Sequence, residues 1–207
     1  MAEASITVCT VRSTVPPAFR AEMAHWQREE HIPRLLGVPG YLGVQRFDRI
    51  GDDCSFMNIW TMRSRAAFDS PEHDAASHTP WQIRMRGLRT AQEVDFYEPA
   101  EGLPWSAFPP AAGRYLLRLD LGRASLDRLA AGAAALARHA ALAVHTLRDT
   151  DHPGRFLQLA FFAGRPSLNA ALAGPGPDGG TLSGYRAVTP PLRADDPAWR
   201  ELPPDPG

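Results

Sequence analysis

The chain contains no lysine: its 207 residues include 22 of Lys plus Arg, and every one of these is arginine. The absence excludes a Schiff-base lysine for a carbonyl substrate or pyridoxal phosphate, and a lysine that reaches a phosphate in a P-loop or kinase-type site. Arginine stays charged and cannot serve as a base or nucleophile at physiological pH. Proton transfer therefore falls to the seven histidines, the carboxylates and the tyrosines.

Cysteine, net charge and long apolar runs are also scarce. Cys9 and Cys54 are the two cysteines, too few for a cysteine-rich zinc site or a disulfide framework. A net charge of −1 without a basic stripe argues against nucleic acid as a partner. No apolar run reaches 18 residues, so no membrane partner is expected, and the first residues lack the pattern of a secretory signal. We expect a cytoplasmic protein with reduced thiols.

Hydrophobic periodicity and turn residues predict the element order β-α-β-β-α-β twice. Pro33 is expected to end the first helix near His31, and Thr79 to cap a helix that restarts at Pro80. The expected strands are 5–13, 41–50, 55–63 and 92–98 in the first series, and 114–122, 141–149, 155–164 and 181–190 in the second.

This order predicts an α+β fold of two tandem ferredoxin-like halves. The N-terminal half is expected at 1–98, a linker at 99–113, a degenerate C-terminal half at 114–190 and a proline-rich tail at 191–207. Each half leaves one sheet face bare, so packing the two bare faces gives an α+β barrel with space for a small molecule between the sheets. The chain is then a pseudo-dimeric monomer or, if each half pairs with a second chain, a homodimer.

Residues 25–47, HWQREEHIPRLLGVPGYLGVQRF, resemble the EthD-like members of the dimeric α+β barrel superfamily. Gln27 departs from the pattern, because the family has a tyrosine there, and the second half lacks the His-x-Pro and Val-Pro-Gly steps. The resemblance implies cofactor-free oxygenation, cyclisation, isomerisation or lyase chemistry on aromatic or polyketide-like substrates, although some members have no known activity. The matching residues are Trp26, His31, Pro33, Val38, Pro39, Gly40, Arg46 and Phe47.

His31, Glu30 and Arg46 are the predicted catalytic residues. A neighbouring carboxylate such as Glu30 can orient the imidazole of His31 and raise its pKa, which suits general acid–base chemistry near neutrality. The alternative is that His31 caps a helix C-terminus. Arg46 interrupts an apolar strand face, where it is either paired inside the barrel or placed at a strand edge. As a ligand it could hold a carboxylate or enolate oxygen and stabilise the developing negative charge.

Polar and aromatic side chains are predicted to line the substrate site. Asn58 and Trp60 share one face of a central strand, and an amide on that face suggests a cavity; the alternative is an asparagine bonded to neighbouring backbone. The same spacing that puts Trp26 on one helix face favours a packing role for it. The predicted substrate-binding residues are Asn58, Trp60, Trp26, Tyr41, Trp81 and Tyr97.

No metal site or cofactor is predicted. His73 and His78 in EHDAASH (72–78) are five residues apart and do not share a helical face, so this stretch is interpreted as a polar surface loop. No glycine fingerprint for flavin or nicotinamide is present.

The main functional prediction is a cofactor-independent enzyme of secondary metabolism, acting by His-mediated proton transfer as a cyclase, isomerase or lyase. One alternative is a cofactor-free monooxygenase with the same fold. The other is a non-catalytic protein that binds a hydrophobic small molecule.

Overall fold

The computed structural model describes residues 6–52, 54–103, 108–174 and 180–196, which contain both β-strands and α-helices. The order β-α-β-β-α-β occurs twice along the chain, as predicted, and a two-residue strand follows it. The strands are Thr7–Thr14 (β1), Tyr41–Arg49 (β2), Ser55–Met62 (β3), Ala91–Pro99 (β4), Tyr115–Arg123 (β5), Ala143–Asp149 (β6), Arg155–Phe162 (β7), Thr181–Ala187 (β8) and Leu192–Arg193 (β9).

The helices are short, apart from one in the C-terminal half. Hydroxyl caps define several starts: Thr79 accepts a hydrogen bond from the Gln82 backbone N–H at 3.0 Å, and Ser125 accepts one from Arg128 at 3.3 Å. The α-helices are Arg20–Trp26 (α1), Ile32–Leu36 (α2), Pro71–Ser77 (α3), Pro80–Leu88 (α4), Leu126–Ala137 (α5) and Arg165–Ala173 (α6), with 3₁₀ turns at Pro17–Phe19 and Arg65–Ala67.

The first helical segment continues past Pro33, and the predicted end near His31 is wrong. α1 leads into a π turn at Gln27–His31, which leads directly into α2. The wider π turn shifts the hydrogen-bond register just before Pro33, where a regular helix would lose a bond and crowd the proline ring. His31 therefore lies inside a continuous helical segment, and it does not cap a helix C-terminus.

Eight antiparallel strands close into a barrel within this one chain. The N-terminal half contributes the order β4-β1-β3-β2 and the C-terminal half β6-β7-β5-β8. The two halves join where β4 pairs with β6 and where β2 pairs with β8. The helices cover the outer faces, and the faces that each half leaves bare meet in the barrel, so the predicted α+β fold of two ferredoxin-like halves is confirmed.

Side chains fill the middle of the barrel interior, so the space expected between the sheets is confined to one end of the barrel. Arg118 is 1% exposed and donates to both carboxylate oxygens of Asp120, at 2.8 and 2.6 Å, and to the Thr10 hydroxyl at 3.1 Å. A polar cavity of about 260 Å³ remains at one mouth. The apolar interior consists of Val8, Phe47, Met57, Ile59, Tyr97, Phe108, Leu116, Leu147, Leu157, Leu159, Phe161, Tyr185 and Ala187.

Residues after the second half pack back onto the first. In β9, Leu192 pairs with Val44 of β2 and Arg193 with Gly43. Parts of the predicted linker (104–107), of the loop before β8 (175–179) and of the tail (197–207) lie outside the described residues. In the described ranges, no helix has the length and apolar character needed to cross a membrane.

Candidate active site

A cavity of about 80 Å³ lies between the helices and the outer sheet face of the N-terminal half. An apolar cavity of about 150 Å³ can hold benzene, so this space admits part of one ring, and the rest of a larger molecule would extend towards solvent. Exposed Arg86, Gln92 and Val94 mark the open side. The lining comprises Cys9, Val11, Ser13, Gln27, His31, Leu35, Tyr41, Phe56, Asn58, Trp60, Phe68, His73, Ser77, Gln82, Arg86, Arg89, Gln92 and Val94.

The π turn brings two polar side chains to this cavity, Gln27 and His31. It also lets Trp26 stack on His31, with ring centroids 4.4 Å apart and planes inclined by 24°. In a regular α-helix, residues five apart point roughly 140° away from each other, which prevents such a stack. Because of the π turn, the buried ring of Trp26 packs against the imidazole of His31 and fixes its position.

Trp60 contacts two of the predicted site residues at once. Its ring lies edge-on to His31 at a centroid distance of 5.9 Å and edge-on to Tyr41 at 5.4 Å. Asn58 and Trp60 are two residues apart on β3, so their side chains point to the same face of the sheet. That face lies towards the helices, and both residues line the same cavity. The structure therefore brings together four residues that the sequence predicted: His31, Tyr41, Asn58 and Trp60.

Charge in the cavity is of one sign. Among the described residues that line it, none is Asp or Glu, whereas Arg86 and Arg89 are both present. No described carboxylate lies within ion-pair distance of either guanidinium. Arg89 donates to the Gln92 side-chain oxygen at 2.7 Å and lies over the Trp26 ring. Burial, and then the nearby Arg86, lower the pKa of Arg89 to about 10, so it remains a cation at neutral pH.

His31 is neutral in this environment. Burial, and then the nearby Arg89 and His73, lower its pKa to about 3, while a side-chain hydrogen bond with Gln82 opposes the shift. The sequence predicted the opposite, a pKa raised by Glu30. Glu30 is partly exposed, and no described hydrogen bond or ion pair joins it to His31, because the two residues point to different sides of the turn.

Five buried polar atoms at the cavity have no hydrogen-bond partner among the described residues. They are Oδ1 of Asn58, Oε1 of Gln27, Nδ1 of His31, Oγ of Ser13 and Nε of Arg89. A buried polar atom without a partner is costly, so such atoms usually bind water or a ligand donor. Together with the arginine donors, they suit a molecule that carries both hydroxyl groups and an anionic oxygen.

Tyr41 and His73 form a hydrogen-bonded pair that was not predicted from the sequence. The phenol oxygen and Nδ1 of His73 are 2.7 Å apart, the rings stack with planes inclined by 8°, and both residues are buried. Burial raises the pKa of Tyr41 and lowers that of His73, so both are neutral. The stretch 72–78, interpreted as a surface loop, is α3 and turns His73 inward. The signal was Ser70 before Pro71, a helix-start pattern, and the Ser70 hydroxyl accepts the His73 backbone N–H at 3.1 Å.

The remaining predicted residues lie elsewhere. Arg46 is 4% exposed beside Asp48 and Phe56, outside the cavity lining but on the helix-facing side. Tyr97 points into the barrel, where its hydroxyl accepts a hydrogen bond from Arg118 at 3.2 Å. Trp81 packs in the α1–α4 core next to His25.

The described residues contain no group of three or more His, Cys, Asp and Glu placed to hold a metal ion. The protein groups available in the cavity can accept or donate protons, hold an anion and enclose an aromatic ring.

No protein-family model matches the chain, and no curated protein matches it. Among solved structures, it is similar to an anthrone oxidase-like protein, with a TM-score of 0.67 and 11% identity over 97% of this chain and 98% of that one. A candidate monooxygenase from Lactobacillus acidophilus gives a TM-score of 0.55 and 10% identity over 96% and 100%. A mutant chlorite dismutase from Candidatus Nitrospira defluvii gives 0.51 and 9% over 89% and 92%.

At these identities the likeness establishes the fold. It extends over nearly the whole chain, in agreement with the ferredoxin-like α+β architecture described above. The narrower EthD-like resemblance of residues 25–47 stays a prediction, because these structures share the fold without resolving that subgroup.

Proposed function

We propose that this chain is a cofactor-independent monooxygenase that binds a hydroxylated aromatic or polyketide-like molecule as its anion and lets that anion react with dioxygen. The main support for this proposal is the charge of the cavity. Arg86 and Arg89 line it, its histidines are neutral, and its described lining contains no carboxylate. Fixed positive charge in a partly buried site stabilises an enolate or phenolate more than the neutral acid.

The shape of the cavity supports a planar substrate that enters by one edge. Trp60, Phe56 and Phe68 supply aromatic surface, and the unpartnered oxygens of Asn58 and Gln27 can accept hydrogen bonds from ring hydroxyls. The closed volume of about 80 Å³ takes part of one ring. The remainder of the molecule then lies towards Arg86 at the open side.

His31 is the proposed proton acceptor, with Gln82 rather than Glu30 as its partner and Arg89 rather than Arg46 as the neighbouring cation. A neutral imidazole has a free lone pair, which here is Nδ1, the atom without a partner in the described structure. Burial lowers the pKa of this imidazole. A substrate anion next to the imidazolium raises that pKa again, because opposite charges favour the protonated form.

The anthrone oxidase-like and monooxygenase-like neighbours share this fold and agree with an oxygenase better than with a cyclase, isomerase or lyase. The EthD-like resemblance is compatible with either chemistry. An oxygenase of this kind needs a substrate anion that dioxygen can oxidise, and the cavity supplies the means to form one. The cyclase, isomerase and lyase reactions would use the same His31 without consuming dioxygen.

The test uses purified protein with 1,8-dihydroxyanthrone as the probe, and measures oxygen uptake together with incorporation of ¹⁸O from ¹⁸O₂ into the quinone. We expect uptake well above the spontaneous rate and one labelled carbonyl oxygen per quinone. His31→Gln should lower the enzymatic rate by about 10²-fold or more, the usual contribution of a general base.

Arg138→Gln is the matched control, because Arg138 is an exposed arginine after α5, far from the cavity in sequence and fold. It should leave uptake unchanged. Tight binding of the probe with no uptake above background would favour a non-catalytic binding protein. An isomerised product formed equally fast under argon would favour the proton-transfer enzymes. Either result overturns the monooxygenase proposal.

A further inference from the structure

The cavity contains a second set of proton-transfer groups besides His31. Tyr41 and His73 lie 2.7 Å apart, oxygen to Nδ1, and both line the cavity. Trp60 contacts the rings of both His31 and Tyr41, and no described ring contact joins His31 directly to Tyr41. The two sets are thus neighbours in one cavity that reach a ligand from different positions.

We propose that Tyr41 and His73 form a proton relay that serves the second proton transfer of the reaction, while His31 serves the first. The Tyr41 hydroxyl donates its hydrogen to Nδ1 of His73, and its oxygen keeps a lone pair for a proton from the ligand. When Tyr41 takes that proton, its own passes to His73, and the phenol is restored. His73 is a positioning residue in this arrangement, because it acts on the ligand through Tyr41.

The relay rests on the proposed monooxygenase reaction, whose chemistry requires two proton removals. The overall change is R₂CH₂ + O₂ → R₂C=O + H₂O. Loss of the first proton leaves a carbanion or enolate, whose electron pair forms the C–O bond while the distal oxygen becomes a peroxide anion. Protonation gives the hydroperoxide. Loss of the second C–H proton forms the carbonyl as the O–O bond breaks, and the departing hydroxide is protonated to water.

In this reaction each histidine accepts one proton from the substrate carbon and later gives it back to a product oxygen. His31 takes the first proton and returns it to the peroxide; the relay takes the second and returns it to the hydroxide. The carbon loses four electrons and dioxygen gains four, so no further reductant is consumed. Nearby imidazoles also disfavour simultaneous protonation, because like charges repel in a partly buried site. Two bases that work in turn suit this constraint, since each is neutral again before the other is protonated.

The test compares Tyr41→Phe, His73→Gln and the double variant in the 1,8-dihydroxyanthrone assay, measuring dioxygen consumed, quinone formed and peroxide released. We expect wild-type protein to form one quinone per dioxygen. Each single variant should still consume dioxygen, but quinone formation should fall by about 10²-fold with KM little changed, and hydroperoxide should accumulate. The double variant should be no slower than Tyr41→Phe, since both changes remove one relay.

Tyr115→Phe and His152→Gln are the controls: Tyr115 is buried in the C-terminal half and His152 is exposed in the β6–β7 turn. Wild-type protein without oxygen uptake overturns the monooxygenase proposal itself. If both single variants turn over as fast as wild-type protein and form one quinone per dioxygen, the relay is overturned and the monooxygenase proposal stands. ¹⁵N NMR of the unliganded protein gives a reading independent of turnover: Tyr41 as donor requires hydrogen on Nε2 of His73, and hydrogen on Nδ1 contradicts the relay.

Discussion

The two halves of the barrel share one topology but differ in the layer between helix and sheet. In the N-terminal half, Asn58 faces a cavity, and its Oδ1 has no partner in the described residues. At the matching register position of the C-terminal half, the side-chain nitrogen of Gln158 donates to the Leu129 carbonyl oxygen at 2.6 Å and to the Thr146 hydroxyl at 3.1 Å. Its Oε1 also has no partner among the described residues, but it lies under α5 rather than in a cavity. The same strand position carries an amide in both halves, and the helix above decides whether that amide is available to a ligand.

Helix geometry explains the difference. In α5, a Cβ on Gly132 would lie 2.8 Å from Oε1 of Gln158, so glycine lets this helix approach the sheet closely. In the N-terminal half, the helix that covers the sheet contains the π turn, and α3 and α4 are short. The cavity lies beneath these elements, and their side chains Gln27, His31, His73 and Gln82 line it. Repeated topology can therefore be kept while one half retains a cavity and the other a packed core.

The largest effect is expected from removing Arg89, the partly buried cation that lines the cavity. Arg89→Gln should lower turnover of the anthrone probe by about 10²- to 10³-fold, the usual loss when one oxyanion-stabilising donor is removed. The folded state should not lose stability in proportion, since burial of an arginine without a carboxylate partner is itself unfavourable. Steady-state kinetics and urea unfolding measure the two effects. Equal activity in Arg89→Gln and wild-type protein would contradict the role given to this charge.

A larger side chain should affect the two halves differently. Leu119→Phe adds volume to a fully buried core position and should destabilise the fold by about 1–3 kcal/mol. Val11, at the matching position beside Asn58, lines the cavity, so Val11→Phe has space to occupy and should cost less stability. It should instead weaken ligand binding at least tenfold, because overlap worth ~1.4 kcal/mol changes affinity by that factor. If Val11→Phe destabilised the fold as much as Leu119→Phe does, the cavity would not have room for the added side chain.

Buried neutral histidines should make both halves sensitive to acid, over different ranges. The folded pKa is about 3 for His31 and about 4 for His145, each lowered from 6.5 by burial. Below pH 6.5 the unfolded chain binds the proton and the folded protein does not, so stability is complete above pH 6.5 and is lost as the pH falls. Each histidine contributes a slope of about 1.4 kcal/mol per pH unit.

Denaturant unfolding at several pH values checks this. His31→Gln should flatten the stability curve from pH 6.5 down to about 3, and His145→Gln down to about 4. Using differences from wild-type protein cancels the carboxylates common to all three. Curves that stay parallel between pH 6.5 and 4 would show that these histidines are not buried as neutral groups.

The smallest effects should come from the helix caps. Thr79→Ala and Ser125→Ala should each destabilise the protein by ~1 kcal/mol, because each hydroxyl satisfies one backbone N–H. Thr79→Ala should in addition lower turnover, since its partner Gln82 lines the cavity and bonds to His31. Thermal unfolding and kinetics separate the outcomes. A matching loss of turnover in Ser125→Ala would contradict the assignment of the site to the N-terminal half.

Local patterns in the sequence predicted the fold well because each element carries its own signal. Strand alternation, the Thr79–Pro80 restart and the β-α-β-β-α-β order depend on neighbours in the chain. The same alternation placed Asn58 and Trp60 on one face. It did not say which face, and the structure turns them towards the helices rather than into the barrel.

The rest of the site depends on contacts between distant elements. His73 reaches the cavity from α3 and Arg89 from the position after α4. The tilt of both helices is set by tertiary packing, and neither position has a local signal for a site. The π turn arises in QREEH, whose residues are compatible with an ordinary α-helix, so composition does not reveal it. The pKa of His31 was predicted in the wrong direction because it also depends on tertiary structure. Glu30 is adjacent in sequence, but burial and the nearby Arg89 determine the pKa.

Closure of the barrel by one chain has a consequence for how such a site can evolve. When two identical chains build a barrel, a single gene encodes both sheets, and every substitution appears at two symmetry-related places. Here β4 joins β6 and β2 joins β8 within the same polypeptide, so each substitution occurs once. One half is then free to specialise in chemistry while the other becomes scaffold, and duplication followed by fusion turns a symmetric pair of sites into a division of labour.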